Sequence, residues 1–310
     1  MTRPLAAGLL RASSLAADTI RQGIGDGTDV LQTDALIRRQ VSIARRIDLV
    51  GLSGGTGCSH LAARLAILFA KRRGTRVLAV DAGRGTLTRL VGAQPATFPG
   101  FTRDSDTQPL GRLLHASVSV NRADDAIAGL LTGTAGLRVA SAAGLDGLCQ
   151  RPRDWYAATN PVLKYFDIVL TDWGYRSPGI DFESAISGSH TVVLVCRAQR
   201  PAIETAISVE AAVARQIPCL VCAVDVDGVG PTAVRTAIRW GATSLFYIPF
   251  LKKPWNMSPP GLRRTMITLA AKLMEMSTSA IAIPQSDPAN LPVQVHSAAR
   301  ALATLSGGSA

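Results

Sequence analysis

An α/β fold is predicted, with a mainly parallel twisted sheet carrying helices on both faces. Three observations predict it: short β-branched apolar runs, helical periodicity between them, and a glycine-rich turn joining the first such run to the first helix. Apolar runs buried on both sides are the mark of parallel strands under helical layers.

The first strand is expected at Ile47-Asp48-Leu49-Val50-Gly51-Leu52. From Ser59 to Arg72, Leu61, Leu65, Leu68 and Phe69 recur at helical spacing, and Gly74 is placed to end that helix. Arg76-Val77-Leu78-Ala79-Val80 follows as a strand. Further strands are expected at 137–140, 166–170, 191–195, 219–224 and 244–248. Helices are expected between and after them at 150–164, 201–216, 231–239 and 261–276. Residues 1–44 read as a partly helical N-terminal arm, 45–282 as the α/β domain, and 283–310 as a flexible tail rich in Pro, Ser, Ala and Gly.

The totals suit this picture. The chain has 310 residues, 47% hydrophobic and 18% charged, enough to bury a large core. No run nears the 18 apolar residues of a membrane span, and Arg11 interrupts the mildly apolar start, so a cytoplasmic protein is expected. The five cysteines are odd in number and lie mostly in apolar runs, which suits a reducing compartment. Cys219 and Cys222 form a C-x-x-C without a second pair, so they read as buried strand thiols rather than zinc ligands. A net charge of +11 favours anionic partners, although the basic residues fall in small scattered clusters rather than one patch.

The chemistry concentrates in Leu52-Ser53-Gly54-Gly55-Thr56-Gly57-Cys58-Ser59-His60. Glycines there let the backbone turn tightly and aim its N–H groups at an anion bound to the helix N-terminus. A complete phosphate-binding loop places Lys before Ser/Thr, the ammonium for β/γ-phosphates and the hydroxyl for Mg²⁺. Ser59 keeps the hydroxyl, whereas Cys58 stands at the lysine position. Two later strands end in acids, Asp81 and Asp172, at the places where carboxylates complete a Mg²⁺ site. The candidate nucleotide-binding residues are therefore Gly54, Gly55, Thr56, Gly57, Cys58, Ser59 and His60. The candidate Mg²⁺ ligands are Ser59, Asp81 and Asp172. No residue is assigned a catalytic role.

With these residues in order, the stretch from about 45 to 276 resembles the MinD/ParA branch of the P-loop ATPases. More narrowly, it is similar to the MinD-like proteins that accompany actinobacterial type VII (ESX) secretion systems. Arg45-Arg46-Ile47, Val80-Asp81-Ala82 with Arg84-Gly85-Thr86-Leu87, Asp172-Trp173-Gly174 and Tyr247-Ile248-Pro249-Phe250 carry the resemblance. The resemblance implies ATP or ADP with Mg²⁺ as ligand, protein partners that include secretion components, a homodimer, and DNA as a secondary partner.

The departures matter as much. The family's first loop lysine, which reaches across a dimer, is replaced by Ser53, and its second by Cys58. Gly83 stands where relatives often carry a second acid. Each lost charge-assisted hydrogen bond costs about 1.5–3 kcal/mol, or roughly 10- to 150-fold in affinity. The resemblance thus implies a pseudo-ATPase with a degenerate Walker A loop, weak nucleotide binding, and hydrolysis weak or absent. Arg64, Arg84 and Arg176 are the cations weighed as substitutes, each more simply a surface arginine. A helix-end thiolate at Cys58 is the other alternative weighed, against a merely tolerated small residue.

Overall fold

A computed structural model describes residues 27–74, 76–83, 86–93, 127, 130–141, 152–176, 181–250 and 260–279. Arg84, Cys149 and the tail from 283 lie outside these residues.

The chain runs α1 (Gly27–Arg38), β1 (Arg45–Gly51), α2 (Cys58–Arg73), β2 (Val77–Asp81), α3 (Thr86–Leu90) and β3 (Leu131–Thr132). It continues through β4 (Arg138–Ser141), α4 (Pro152–Leu163), β5 (Ile168–Tyr175), α5 (Phe182–Ile186), β6 (Thr191–Arg197) and α6 (Arg200–Val213). β7 (Cys219–Val224), α7 (Thr232–Arg239), β8 (Leu245–Ile248) and α8 (Pro260–Ser279) complete it. The eight strands are ordered β3-β4-β2-β5-β1-β6-β7-β8. Every neighbouring pair is parallel except the short antiparallel β3–β4 edge. The expected mainly parallel sheet is thus observed. Each strand foreseen from the sequence is present within about two residues of its expected limits, except that β5 runs five residues past its expected end at 170; β3, α3 and α5 are too short to leave a periodic signal.

Strand alternation divides the core in two. Ile47, Leu49, Val77, Ala79, Ile168, Leu170, Val193 and Val195 face the layer formed by α1, α2 and α8. Leu78, Val80, Val169, Trp173, Val192, Leu194 and Cys196 face the layer of α4 to α7. This follows from the period of two along a strand, with both faces covered.

The N-terminal segment includes a helix whose Ile37 is fully buried in the first layer. Arg73, at the end of α2, holds that helix by donating to the carbonyls of Ile37 (2.7 Å) and Arg39 (2.6 Å). It also pairs with Asp167 at 3.0 Å. Orphan carbonyls at a helix C-terminus take such donors readily. Helix α2 itself ends as its sequence demands, with Gly74 at φ 68° and its N–H bonded to the Ala70 carbonyl.

One acid lies deep in the second layer. Asp48, 1% exposed on β1, accepts from Ser189 Oγ and lies 3.5 Å from Tyr156 Oη, whose hydroxyl also donates to the Ala185 carbonyl at 2.5 Å. Burial pushes the Asp48 carboxyl up, against the pull of Ser189 and its other donors. Nearby, His190 Nδ1 accepts from the Arg46 N–H at 3.1 Å. Burial and the Arg45 and Arg46 charges lower its pKa to about 4, so the imidazole is neutral at pH 7.

Candidate functional site

The site forms at the C-terminal ends of the central strands, where open α/β sheets place ligands. β1 ends at Gly51, and the chain turns through residues 52–57 before α2 starts at Cys58. Gly51 is packed too closely for a side chain, since a Cβ there would sit 3.0 Å from Thr56 Oγ1 and 3.3 Å from the Gly174 carbonyl. Gly55 and Gly57 adopt φ of 70° and 81°, the left-handed region that favours glycine. Ser53, Gly54 and Gly55 are exposed, Thr56 is buried, and Gly57 is the left-handed N-cap residue. Helix α2 has no acid in its first turn and no side-chain cap bond at Gly57, so its partial positive charge faces outward.

The loop meets the strand-end acids. Asp172, 1% exposed, is flanked on β5 by Leu49 of β1 and by Asp81 of β2. Cys58 Sγ lies 3.5 Å from Asp172 Oδ1, which also accepts from the Gly174 N–H at 2.9 Å. That second bond depends on an irregularity in the β1–β5 register, where Gly174 takes φ 61°. The Ser59 hydroxyl lies against the same carboxylate, and Oδ2 is buried with no hydrogen-bond partner. Burial raises the Asp172 pKa to about 6; Ser59 opposes this, neighbouring Asp81 adds to it, and the Gly174 N–H and Cys58 thiol oppose it.

Asp81 is also fully buried, but its Oδ2 accepts from the Thr88 N–H (2.8 Å) and Thr88 Oγ1 (2.7 Å). Ser141 Oγ lies 2.8 Å beyond, from Thr88 Oγ1. The two acids therefore differ. Asp172 offers an unpartnered buried oxygen beside a hydroxyl, a donor set that fits a hard divalent cation. Asp81 has one oxygen already filled and lies beside it on the neighbouring strand.

Cys58 takes the protonated form. Burial raises its thiol pKa well above the usual range, and the Asp172 charge and hydrogen bond add to this. The helix N-terminus does not produce a thiolate here, because desolvation beside a carboxylate outweighs the dipole. The chain's other described cysteines, Cys196, Cys219 and Cys222, are free and buried, as strand thiols should be. His60 is exposed on α2, with partial burial of its ring and the Arg64 charge lowering its pKa.

The arginines sort themselves by geometry. Arg176 is 3% exposed and donates to the carbonyls of Trp173 (3.2 Å) and Ala82 (2.9 Å), while stacking 5.1 Å over Trp173. It is a structural clamp. Arg64 is half-buried on α2. The residue brought to the loop is Arg197, at the end of β6: a Cβ on Gly55 would stand 3.0 Å from its Nη2. Sequence reasoning passed over Arg197, although its position two residues after Val195, the register partner of Gly51, carries the signal once the strand order is known.

No protein-family model matches the chain. Among curated proteins, the ESX-1 secretion-associated protein EspI of Mycobacterium tuberculosis, in strains CDC 1551 and H37Rv, is 29% identical over 147 residues. The match covers 46% of this chain and only 20% of EspI, about a fifth of that relative's length. Among solved structures, the cell division ATPase MinD of Pyrococcus furiosus matches with TM-score 0.51 and 18% identity, covering 74% of this chain and 98% of MinD. A ParA-family ATPase from Chlorobium tepidum gives TM-score 0.50 and 14% identity over 77% of this chain and 99% of its own. A plasmid partition protein from Borrelia burgdorferi, solved with AMPPNP, gives TM-score 0.51 and 13% identity over 76% of this chain and 100% of its own. The mainly parallel eight-stranded sheet with helices on both faces is therefore a known architecture: this chain has the fold of the MinD/ParA P-loop ATPases.

Proposed function

We propose that this chain is a regulatory or scaffolding P-loop protein that holds Mg-nucleotide weakly and hydrolyses it slowly or not at all. The observation that carries this reading is the Cys58 thiol, placed where an ammonium is needed and turned onto Asp172 rather than toward an anion. Phosphoryl transfer depends on positioned cations that neutralise charge in the transition state. A neutral thiol supplies none.

What remains is a cradle. The α2 N-terminus and the left-handed glycines can receive phosphate oxygens, while Ser59 and Asp172 would hold Mg²⁺, which would supply positive charge against the phosphates. The partial match to EspI supports a setting in type VII secretion, with other proteins as partners. A homodimer and a cytoplasmic location accord with the fold. Among the described residues, no helix is long and apolar enough to cross a membrane.

Calorimetry with Mg-ATP on the wild type and Cys58→Lys tests the reading. Binding about 10- to 150-fold tighter in the lysine variant is expected, one charge-assisted hydrogen bond restored. Steady ATP turnover by the purified wild type, lost on Asp172→Ala, would overturn it. A second reading, an ATPase completed by a partner's cation, is favoured by the retained Ser59–Asp172–Asp81 cluster. DNA is a further candidate ligand on the strength of the +11 charge, and its binding should fall steeply with salt.

A further inference from the structure

The loop is not without a cation. Arg197 projects from the end of β6, and its guanidinium lies over Gly55 so closely that a Cβ there would be 3.0 Å from Nη2. Its side chain is 37% exposed, open to an incoming anion. Its carboxylate partner is Asp227, equally exposed, with Nη1 to Oδ1 at 3.6 Å. The other Asp227 oxygen accepts from Gln199 Nε2 at 2.9 Å, which fixes the carboxylate beside the loop. An exposed pair at 3.6 Å is loose and contributes little, so an anion competes with it easily. Guanidinium is also the better match to phosphate, since its planar fork gives two parallel bonds where ammonium gives a point charge.

An independent feature marks the same spot as a ligand site. Asp172 Oδ2 is buried without a hydrogen-bond partner, and Oδ1 of the same carboxylate lies 3.5 Å from Cys58 Sγ at the start of α2. A metal-bound polyphosphate would answer both, its metal at Asp172 and its oxygens at the amides and the guanidinium.

We propose that Arg197 is the phosphate-binding cation of the glycine loop, paired with Asp227 in the empty state and exchanged onto a nucleoside triphosphate on binding. This rests on the loop being a Mg-nucleotide site, and it adds the residue that supplies the charge Cys58 does not. Asp227 acts as a competitor for the guanidinium, so the two residues have opposite effects on affinity. Gly55 is needed twice, for its left-handed backbone and for the space under Arg197.

Calorimetric titration of the full chain with Mg-ATP reads this directly. Arg197→Ala should weaken binding about 10- to 150-fold, one charge-assisted hydrogen bond removed. Asp227→Asn should tighten it, which loss of folding would not do. Arg197→Gln keeps length and polarity, and should weaken binding as Ala does. Circular dichroism checks that each variant is folded. Wild-type affinity in Arg197→Ala would overturn the role of Arg197 and leave the nucleotide site standing. Weaker binding in Asp227→Asn would overturn the exchange. No binding at millimolar Mg-ATP by either the wild type or Cys58→Lys would remove the site reading and the proposal together, whereas binding by Cys58→Lys and not by the wild type would remove only the claim that Arg197 supplies the charge.

Discussion

His190 and Asp172 show how burial, with the charges around it, sets the chemistry of single residues. With a pKa near 4, the folded His190 stays neutral where the unfolded chain, near 6.5, takes up a proton. Its contribution to stability is therefore full above about pH 6.5 and lost as pH falls toward 4. His190→Asn retains an acceptor for the Arg46 N–H without a titrating ring. Denaturant titrations at pH 7 and pH 5 should show the variant losing less stability on acidification than the wild type. Asp172 has the opposite sign. Its folded pKa near 6 exceeds the ordinary carboxyl value of 3.8, so the ionised carboxylate costs stability that is felt increasingly as pH rises from about 4 to 6. Asp172→Asn is expected to be the more stable protein at pH 7, with the gain vanishing near pH 4. Metal binding needs the ionised form, so Mg²⁺-dependent nucleotide affinity should climb between pH 5 and pH 7, with a midpoint near 6. A flat profile across that range would disconnect Asp172 from the metal.

At the scale of elements, the turn between β1 and α2 concentrates backbone demands. Gly57→Ala combines a φ of 81° with a Cβ only 3.2 Å from Val224 Cγ1. A loss of about 1–2 kcal/mol in unfolding free energy is expected from the left-handed backbone alone, together with weakened Mg-ATP binding. Much of this turn was legible beforehand, because glycines between a strand and a helix have few other uses. The strand-end acids were legible too, since Asp81 and Asp172 close apolar runs. Which acid has a vacant oxygen was not: the Thr88 bonds that occupy Asp81 Oδ2 come from a five-residue helix with too little length for periodicity. Arg197 was hidden for a topological reason. Its neighbour in space is a loop over 140 positions away in sequence, reached only because β6 lies beside β1. Arg176, weighed from the sequence as a substitute cation and more simply as a surface arginine, is an internal brace through its bond to the Ala82 carbonyl.

For the whole molecule, the sheet order separates a rigid centre from its additions. α1 lies ahead of the first strand and yet places Ile37 in the core beside α2 and α8. Ile37→Ala should cost about 2–5 kcal/mol, measured as a shift in urea midpoint, as expected for a filled site emptied by three carbons. A near-neutral result would mean that α1 is a detachable arm rather than part of the body. The lesson from the sequence is similar: apolar periodicity located the layers, but a single isoleucine in a polar helix carried no signal that it docks.

The brace formed by Arg176 has a mechanical corollary. It ties the tips of β2 and β5 by bonding to the carbonyls of Ala82 and Trp173, and a Cβ on Gly174 would stand 3.8 Å from the Gly83 Cα. In the proposed site the acid side thus carries this brace, whereas Arg197 opposite is held by a 3.6 Å pair with Asp227. Any message that occupancy sends to another protein should leave by β6 and the start of α6, where Gln199 and Asp227 sit at the exposed rim.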